Sequence, residues 1–207
     1  MPPQPDGAER VESNMGGLAA TLDYDAELMI RVREGDGASF GVLLDKHRSS
    51  VVHFLYRMVQ NQAIAEELAQ EVFLRVYRSR STYEPTAKFT TWLFRIATHL
   101  ALNSLRDGKQ ERVQERLDGG SPETPARQVL DTRPSAEAVM VKEVRLEEVR
   151  RAVAALPEKQ RAAVLMHKYE EMEYSQIANV LSCSESAVKS LLFRAYETLR
   201  ARLAHMA

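Results

Sequence analysis

Along residues 23–107 apolar side chains return every three or four positions, and nowhere does the period of two that marks a strand take over. Phe40, Leu43, Leu44, His47, Val51, Leu55 and Met58 trace one face, and Ile64, Leu68, Val72 and Val76 trace the next. This spacing predicts amphipathic helices. Asp23 or Asp25 suits the cap of a first short helix that stops before Gly35. Asn61 suits the start of a third, and Thr90 or Thr91 that of a fourth beginning near Trp92.

The pattern dissolves over residues 108–134, "GKQERVQERLDGGSPETPARQVLDTRP", whose second half is punctuated by prolines; it reads as a flexible linker. Periodicity resumes at Ala136, breaks at Pro157, which fits the first turn of a new helix, and runs on through "EKQRAAVLMHKYE". In "SQIANVLSCSESAVKSLLFRAYETL" a few small polar letters separate two helical patterns. Ile177, Ala178 and Leu181 form the inner face of the first, and Val188, Leu191 and Leu192 that of the second. A connection this short forces a sharp crossing, which is helix-turn-helix spacing. Ser184 then caps the second helix, with Glu185, Ser186, Lys189, Ser190 and Arg194 on its outer side. A plain helical hairpin with a solvated face is the alternative, and Ser182 stands where glycine is usual, at a cost of about 1 kcal/mol if φ is positive. The expected architecture is all-α: two small helical domains, 23–107 and 135–207, joined by the 108–134 linker and preceded by a disordered acidic extension over 1–22.

Charge sharpens this picture. The chain has 207 residues, 44% of them hydrophobic, and a formal net charge of -1, unlike proteins that coat nucleic acid through bulk charge. The average hides a gradient: Asp6, Glu9, Glu12, Asp23, Asp25 and Glu27 face only Arg10 at the front, whereas Lys189, Arg194, Arg200 and Arg202 outnumber Glu185 and Glu197 at the back. No apolar run approaches the roughly 20 residues a bilayer requires, and "MPPQPDGAER" lacks the features of a secretion signal, so a soluble cytoplasmic protein is expected. Cys183 is the one cysteine, which excludes a disulfide or thiolate cage within one chain.

Two further stretches carry chemistry. In "AEELAQEVFLRVYRS", Glu67, Gln70, Glu71 and Leu74 fall opposite Leu68, Val72 and Val76, giving an acidic, amide-bearing surface suited to a partner's basic helix, or simply a solvated face. In "KFTTWLFRIATHLALNSLRD", Phe89, Trp92, Phe94, His99 and Asn103 sit among Lys88, Arg95 and Arg106, an arrangement that suits unpaired bases. Trp92, Ile96 and Leu100 read equally well as core, whereas Phe89, at a loop end, is expected to be exposed. A metal-dependent hydrolase built on His47, His53, Glu66 and Glu67 lacks any metal-ligand spacing. His47 is expected at the core edge of its helix, His167 and His205 at the surface, and Cys183 as a small filler. No catalytic residue, cofactor or metal is expected.

Together these stretches resemble the bacterial RNA polymerase sigma factors of the extracytoplasmic function class, over nearly the whole chain outside the linker. The family's core-binding motif of acid, two spacers, Gln, acid, spacer and Phe appears as Glu67, Gln70, Glu71 and Phe73. The resemblance implies that this set faces the polymerase clamp. It implies that "STYEPTAKF" holds a base flipped from the minus-ten element, with Lys88, Phe89, Trp92, Arg95, His99, Asn103 and Arg106 contacting its neighbours. Ser184, Glu185, Ser186, Lys189, Ser190 and Arg194 would read the minus-thirty-five element. His99 replaces a common asparagine and Asn103 a common aspartate. Core RNA polymerase and promoter DNA are the implied partners of a chain monomeric when free, with an anti-sigma factor as a further one. The rival reading is a regulator that binds operators as a dimer without polymerase.

Overall fold

In the computed structural model of the protein, which describes residues 23–117 and 136–206, every regular element is helical. The helices are α1 (Tyr24–Arg33), α2 (Gly37–Val59), α3 (Gln62–Arg78), α4 (Phe89–Leu117), α5 (Ala136–Ala154), α6 (Glu158–Tyr169), α7 (Tyr174–Leu181) and α8 (Glu185–Leu203). The expected extension over 1–22, residues 118–134 of the expected linker, and residues 135 and 207 of the second expected domain lie outside the described residues.

Local chemistry sets most of the boundaries. Short polar side chains accept the orphan N–H groups of helix starts: Asp23 from Ala26, Asp36 from Ala38 and Ser39, Asn61 from Ile64, and Ser184 from Ala187. α1 to α4 pack as a bundle around Met29, Leu43, Phe54, Leu55, Met58, Leu93 and Phe94, all at most 2% exposed. Phe54 and Phe94 meet edge to face with centroids 5.2 Å apart. Each such side chain contributes about 1.5–3 kcal/mol on burial. α6, α7 and α8 close around Leu165, Met166, Ile177, Val188 and Leu192, with α5 laid on α8. Ala178 is buried, as the close crossing requires, and Ser182 does take the left-handed conformation at φ 52°.

Three features depart from the expected pattern. α4 begins at Phe89, three residues before Trp92, because a carboxylate distant in sequence caps it: Asp23 Oδ2 accepts the Phe89 N–H at 3.0 Å. The same helix runs through Gly108 to Leu117, so the expected domain boundary falls inside it. A lone glycine costs roughly 1 kcal/mol, which the strong helix formers of "KQERVQERL" outweigh. Pro157 stands at the N-cap of α6, one position before its first turn.

Periodicity also gave no sign that the two modules adhere. α7 lies along α4, with Gln176 Nε2 donating to Thr91 Oγ1 at 3.3 Å. The Arg57 guanidinium of α2 sits 4.0 Å from the ring centroid of Tyr169, at the end of α6. Arg161 of α6 donates to the Met58 carbonyl of α2.

Candidate nucleic-acid interface

The periodicity that buries Ala65, Ala69, Val72, Phe73 and Val76 turns Glu67, Gln70 and Leu74 outward on α3, with Glu71 half-buried beside them. Arg75 Nε donates to Glu71 Oε1 at 2.7 Å one turn on, and this hydrogen bond holds the Glu71 carboxyl below its usual range. The face is therefore anionic and studded with one amide and one exposed leucine. Phe73 does not share it: at 6% exposed it is an anchor in the core, since its position follows Ala69 and Val72 around the helix.

On α4, Arg95, His99, Asn103 and Arg106 recur every three or four residues and all face solvent, forming one stripe that exposed Lys88 extends at the loop end. Lys88 and Arg95 pair with no acid among the described residues, while Arg106 leans on Asp107 at 3.5 Å. Trp92 is half-buried, packed on Tyr83 at 4.9 Å and Phe89 at 5.8 Å. Phe89 corrects the expected exposure: it is 0% exposed, against the His47 ring at 5.4 Å. A loop end capped by Asp23 turns inward, while Glu84, Thr86, Ala87 and Lys88 ahead of it stay exposed.

Beneath that loop the buried Asp25 and His47 side chains meet the exposed Lys46. Lys46 Nζ and His47 Nε2 both approach the Asp25 carboxylate, at 2.6 Å and 2.9 Å. Burial lowers the His47 pKa more than Asp25 raises it, so the neutral ring donates Nε2–H and Lys46 supplies the countercharge. Burial, with help from Asp23 and Asp25, pushes the Tyr83 phenol up to about 12.

α8 presents Glu185, Ser186, Lys189, Ser190 and Arg194 outward, with Ser184 at its cap. Ser190 Oγ donates to the Ser186 carbonyl at 3.0 Å, while Lys189 and Arg194 pair with no acid among the described residues. Sequence reasoning missed Phe193, which is 68% exposed in the middle of this face. Its position four residues after Lys189 was the available signal. A bare aromatic between free cations has the chemistry to meet a thymine methyl while they meet phosphate or guanine. His167 is half-buried and His205 exposed, 3.2 Å from Glu148. Cys183 is half-buried and packed against the core. No cluster of three or more His, Cys, Asp or Glu side chains among the described residues could hold a metal. No described helix is long and apolar enough to cross a membrane.

Two modules with these surfaces correspond to known parts. Residues 43–111 match sigma-70 region 2, and residues 146–199 match sigma-70 region 4. The RNA polymerase sigma factor CarQ of Myxococcus xanthus is 33% identical over 179 residues, spanning 86% of this chain and 97% of its own. The ECF RNA polymerase sigma-E factor of Haemophilus influenzae is 30% identical over 184 residues, spanning 86% and 95%. Among solved structures, the fold is shared with the sigma factor RpoE of Bartonella quintana, crystallised with the anti-sigma factor NepR. That match has a TM-score of 0.63 and 21% identity over 80% of this chain and 96% of that one. It is shared equally with CnrH in complex with the cytosolic domain of CnrY, at a TM-score of 0.63 and 17% identity over 88% and 99%.

A region 2 bundle followed by a region 4 helix-turn-helix defines a sigma-70-type transcription initiation factor. Within that class, this chain belongs to the extracytoplasmic function sigma factors, which bind core RNA polymerase and direct it to promoters.

Proposed function

We infer that the three outward faces divide the work of initiation. Glu67, Gln70 and Glu71 on α3 meet basic helices of the polymerase clamp; Phe73 serves this face by holding α3 in place. The Lys88, Arg95, His99, Asn103 and Arg106 stripe follows the non-template strand of the minus-ten element, beside the loop that takes a flipped base, with Trp92 at its edge. α8 enters the major groove of the minus-thirty-five element through Ser184, Glu185, Ser186, Lys189, Ser190, Phe193 and Arg194. The chain itself supplies no catalytic group; it steers the polymerase's chemistry from the cytoplasm, monomeric when free and open to capture by an anti-sigma factor.

The observation that carries this reading is the pair of cation-bearing stripes on separate modules: among the described residues Lys88 and Arg95 on the first and Lys189 and Arg194 on α8 pair with no acid, and Arg106 alone leans on one, Asp107. The near-neutral total charge agrees with it, since the polymerase supplies most DNA affinity and local patches suffice. Two elements roughly 25 base pairs apart are separated by about 85 Å at 3.4 Å per pair. α7, fixed to α8 by a short turn, packs on α4, which holds the two modules against each other. Holoenzyme formation therefore parts the modules. Footprinting tests this: protein with core polymerase should protect both elements on one promoter, and neither without it. A symmetric footprint on a palindrome in the absence of polymerase would favour the dimeric regulator instead.

A further inference from the structure

The exposed loop between α3 and α4 is a pinned arch, and both pins come from α1. At its upstream foot, Arg33 Nη1 in the last turn of α1 donates to the Tyr83 carbonyl at 3.2 Å. At its downstream foot, the Asp23 cap of α1 accepts the Phe89 N–H through Oδ2 at 3.0 Å while Oδ1 accepts the Ala26 N–H at 2.7 Å. One carboxylate thus caps two helices, using one oxygen for each. Both feet are buried, Tyr83 at 4% and Phe89 at 0% exposed, with ring centroids 6.4 Å apart. Between them Glu84, Thr86, Ala87 and Lys88 stand in solvent, and Thr86 N–H closes a tight turn on the Glu84 carbonyl at 2.8 Å.

α1 precedes both matched family spans, which begin at residues 43 and 146. We propose that Asp23 and Arg33 are positioning residues for promoter reading: α1 clamps the two ends of the 83–89 loop, fixing the shape of the arch that discriminates the flipped minus-ten base. This rests on the loop role given under Proposed function. The physical reason is preorganisation. A single wrong base costs about 1–3 kcal/mol only if the groups that contact it cannot follow it, so a loop free to adapt loses selectivity before it loses affinity.

The test separates clamping from simple stability. Asp23→Ser keeps a good N-cap for α1, but its one short oxygen cannot also reach Phe89. Arg33→Ala releases the other foot. Each full-length variant is assembled with core polymerase and presented with fork-junction promoter DNA in which every minus-ten base of the unpaired strand is substituted in turn. Wild-type holoenzyme should discriminate by about tenfold or more at the flipped position. Asp23→Ser and Arg33→Ala should bring that ratio down at least fivefold, with core-polymerase affinity and melting temperature close to wild type. Full discrimination in both variants would overturn the clamp while leaving the loop reading intact. Indifference of the wild type to every base would overturn the loop reading, and the clamp with it. A loss of discrimination matched by equal loss of core binding would also overturn the proposal, because it would mark general loosening of the bundle.

Discussion

Arg161 and Met58 join the two modules: the α6 guanidinium, 8% exposed, donates to the carbonyl at the end of α2. The same side chain donates to the Ala154 carbonyl and, at 3.2 Å, to that of Leu156, so it closes the end of α5 as well. Its Nε is buried without a partner, and burial lowers the guanidinium pKa while Glu158 opposes that shift. Arg161→Ala strands three carbonyls and should cost about 3 kcal/mol in urea unfolding. It should also raise the radius of gyration in X-ray scattering. A loss under about 1 kcal/mol with unchanged scattering would show that this contact does not hold the modules together.

Glu170 gives the packed structure a pH dependence. It follows α6 beside Arg57, and burial pushes its carboxyl up to about 7 against the pull of that guanidinium. A carboxyl whose pKa rises on folding stabilises the fold while protonated, so its contribution is whole below about 4.5 and is lost as pH climbs through about 7. Glu170→Gln should flatten the melting-temperature profile between about pH 5 and 8 and exceed wild type at the upper end. His47, with a lowered pKa, acts in the opposite sense, favouring the fold above 6.5 and withdrawing support as pH falls below it. A Glu170→Gln profile that overlays wild type would remove Glu170 from this account.

The acidic face and the recognition helix should fail separately. Gln70→Ala with Glu71→Ala should weaken core-polymerase binding by about tenfold or more in fluorescence anisotropy, with the back module's DNA contacts intact. Arg194→Ala should leave core affinity alone and lower cognate-promoter transcription by a similar factor, the worth of one good cationic contact at about 1–3 kcal/mol. Equal loss of both activities in either mutant would undo the division.

Phe193 supplies a sharper case, since its exposure means that truncation costs the fold little. Phe193→Ala should change stability by less than about 0.5 kcal/mol yet reduce protection of the minus-thirty-five element. A folded variant with an unaltered footprint would remove Phe193 from the interface.

What the sequence made legible was whatever is encoded within a turn or two. The caps at Asn61 and Ser184, the inner faces of α7 and α8, and the outward stripe of α4 follow directly from spacing. What escaped it depends on partners distant in the chain. Phe89 looked exposed because its loop is polar; Asp23, 66 positions away, draws its amide inward. Phe73 belongs to a recognisable motif, yet its own helical phase places it inside. Gly108 looked like a boundary because the apolar periodicity stops there and glycines and prolines follow, yet the residues up to Leu117 are mostly strong helix formers that carry α4 on without an apolar face. The Arg161 bridge has no local signature, since an arginine in "EKQRAAV" looks the same whether it meets water or a carbonyl 103 positions away.

The central claim is that this chain is a specificity subunit whose activity exists only on the polymerase. Run-off transcription with purified core polymerase, on the DNA upstream of the protein's own gene, tests it most directly. The account predicts a discrete transcript that requires both the protein and the core enzyme and disappears with Gln70→Ala and Glu71→Ala combined. The same transcript from core alone, or none under any condition with a protein that does not comigrate with the polymerase, would contradict it.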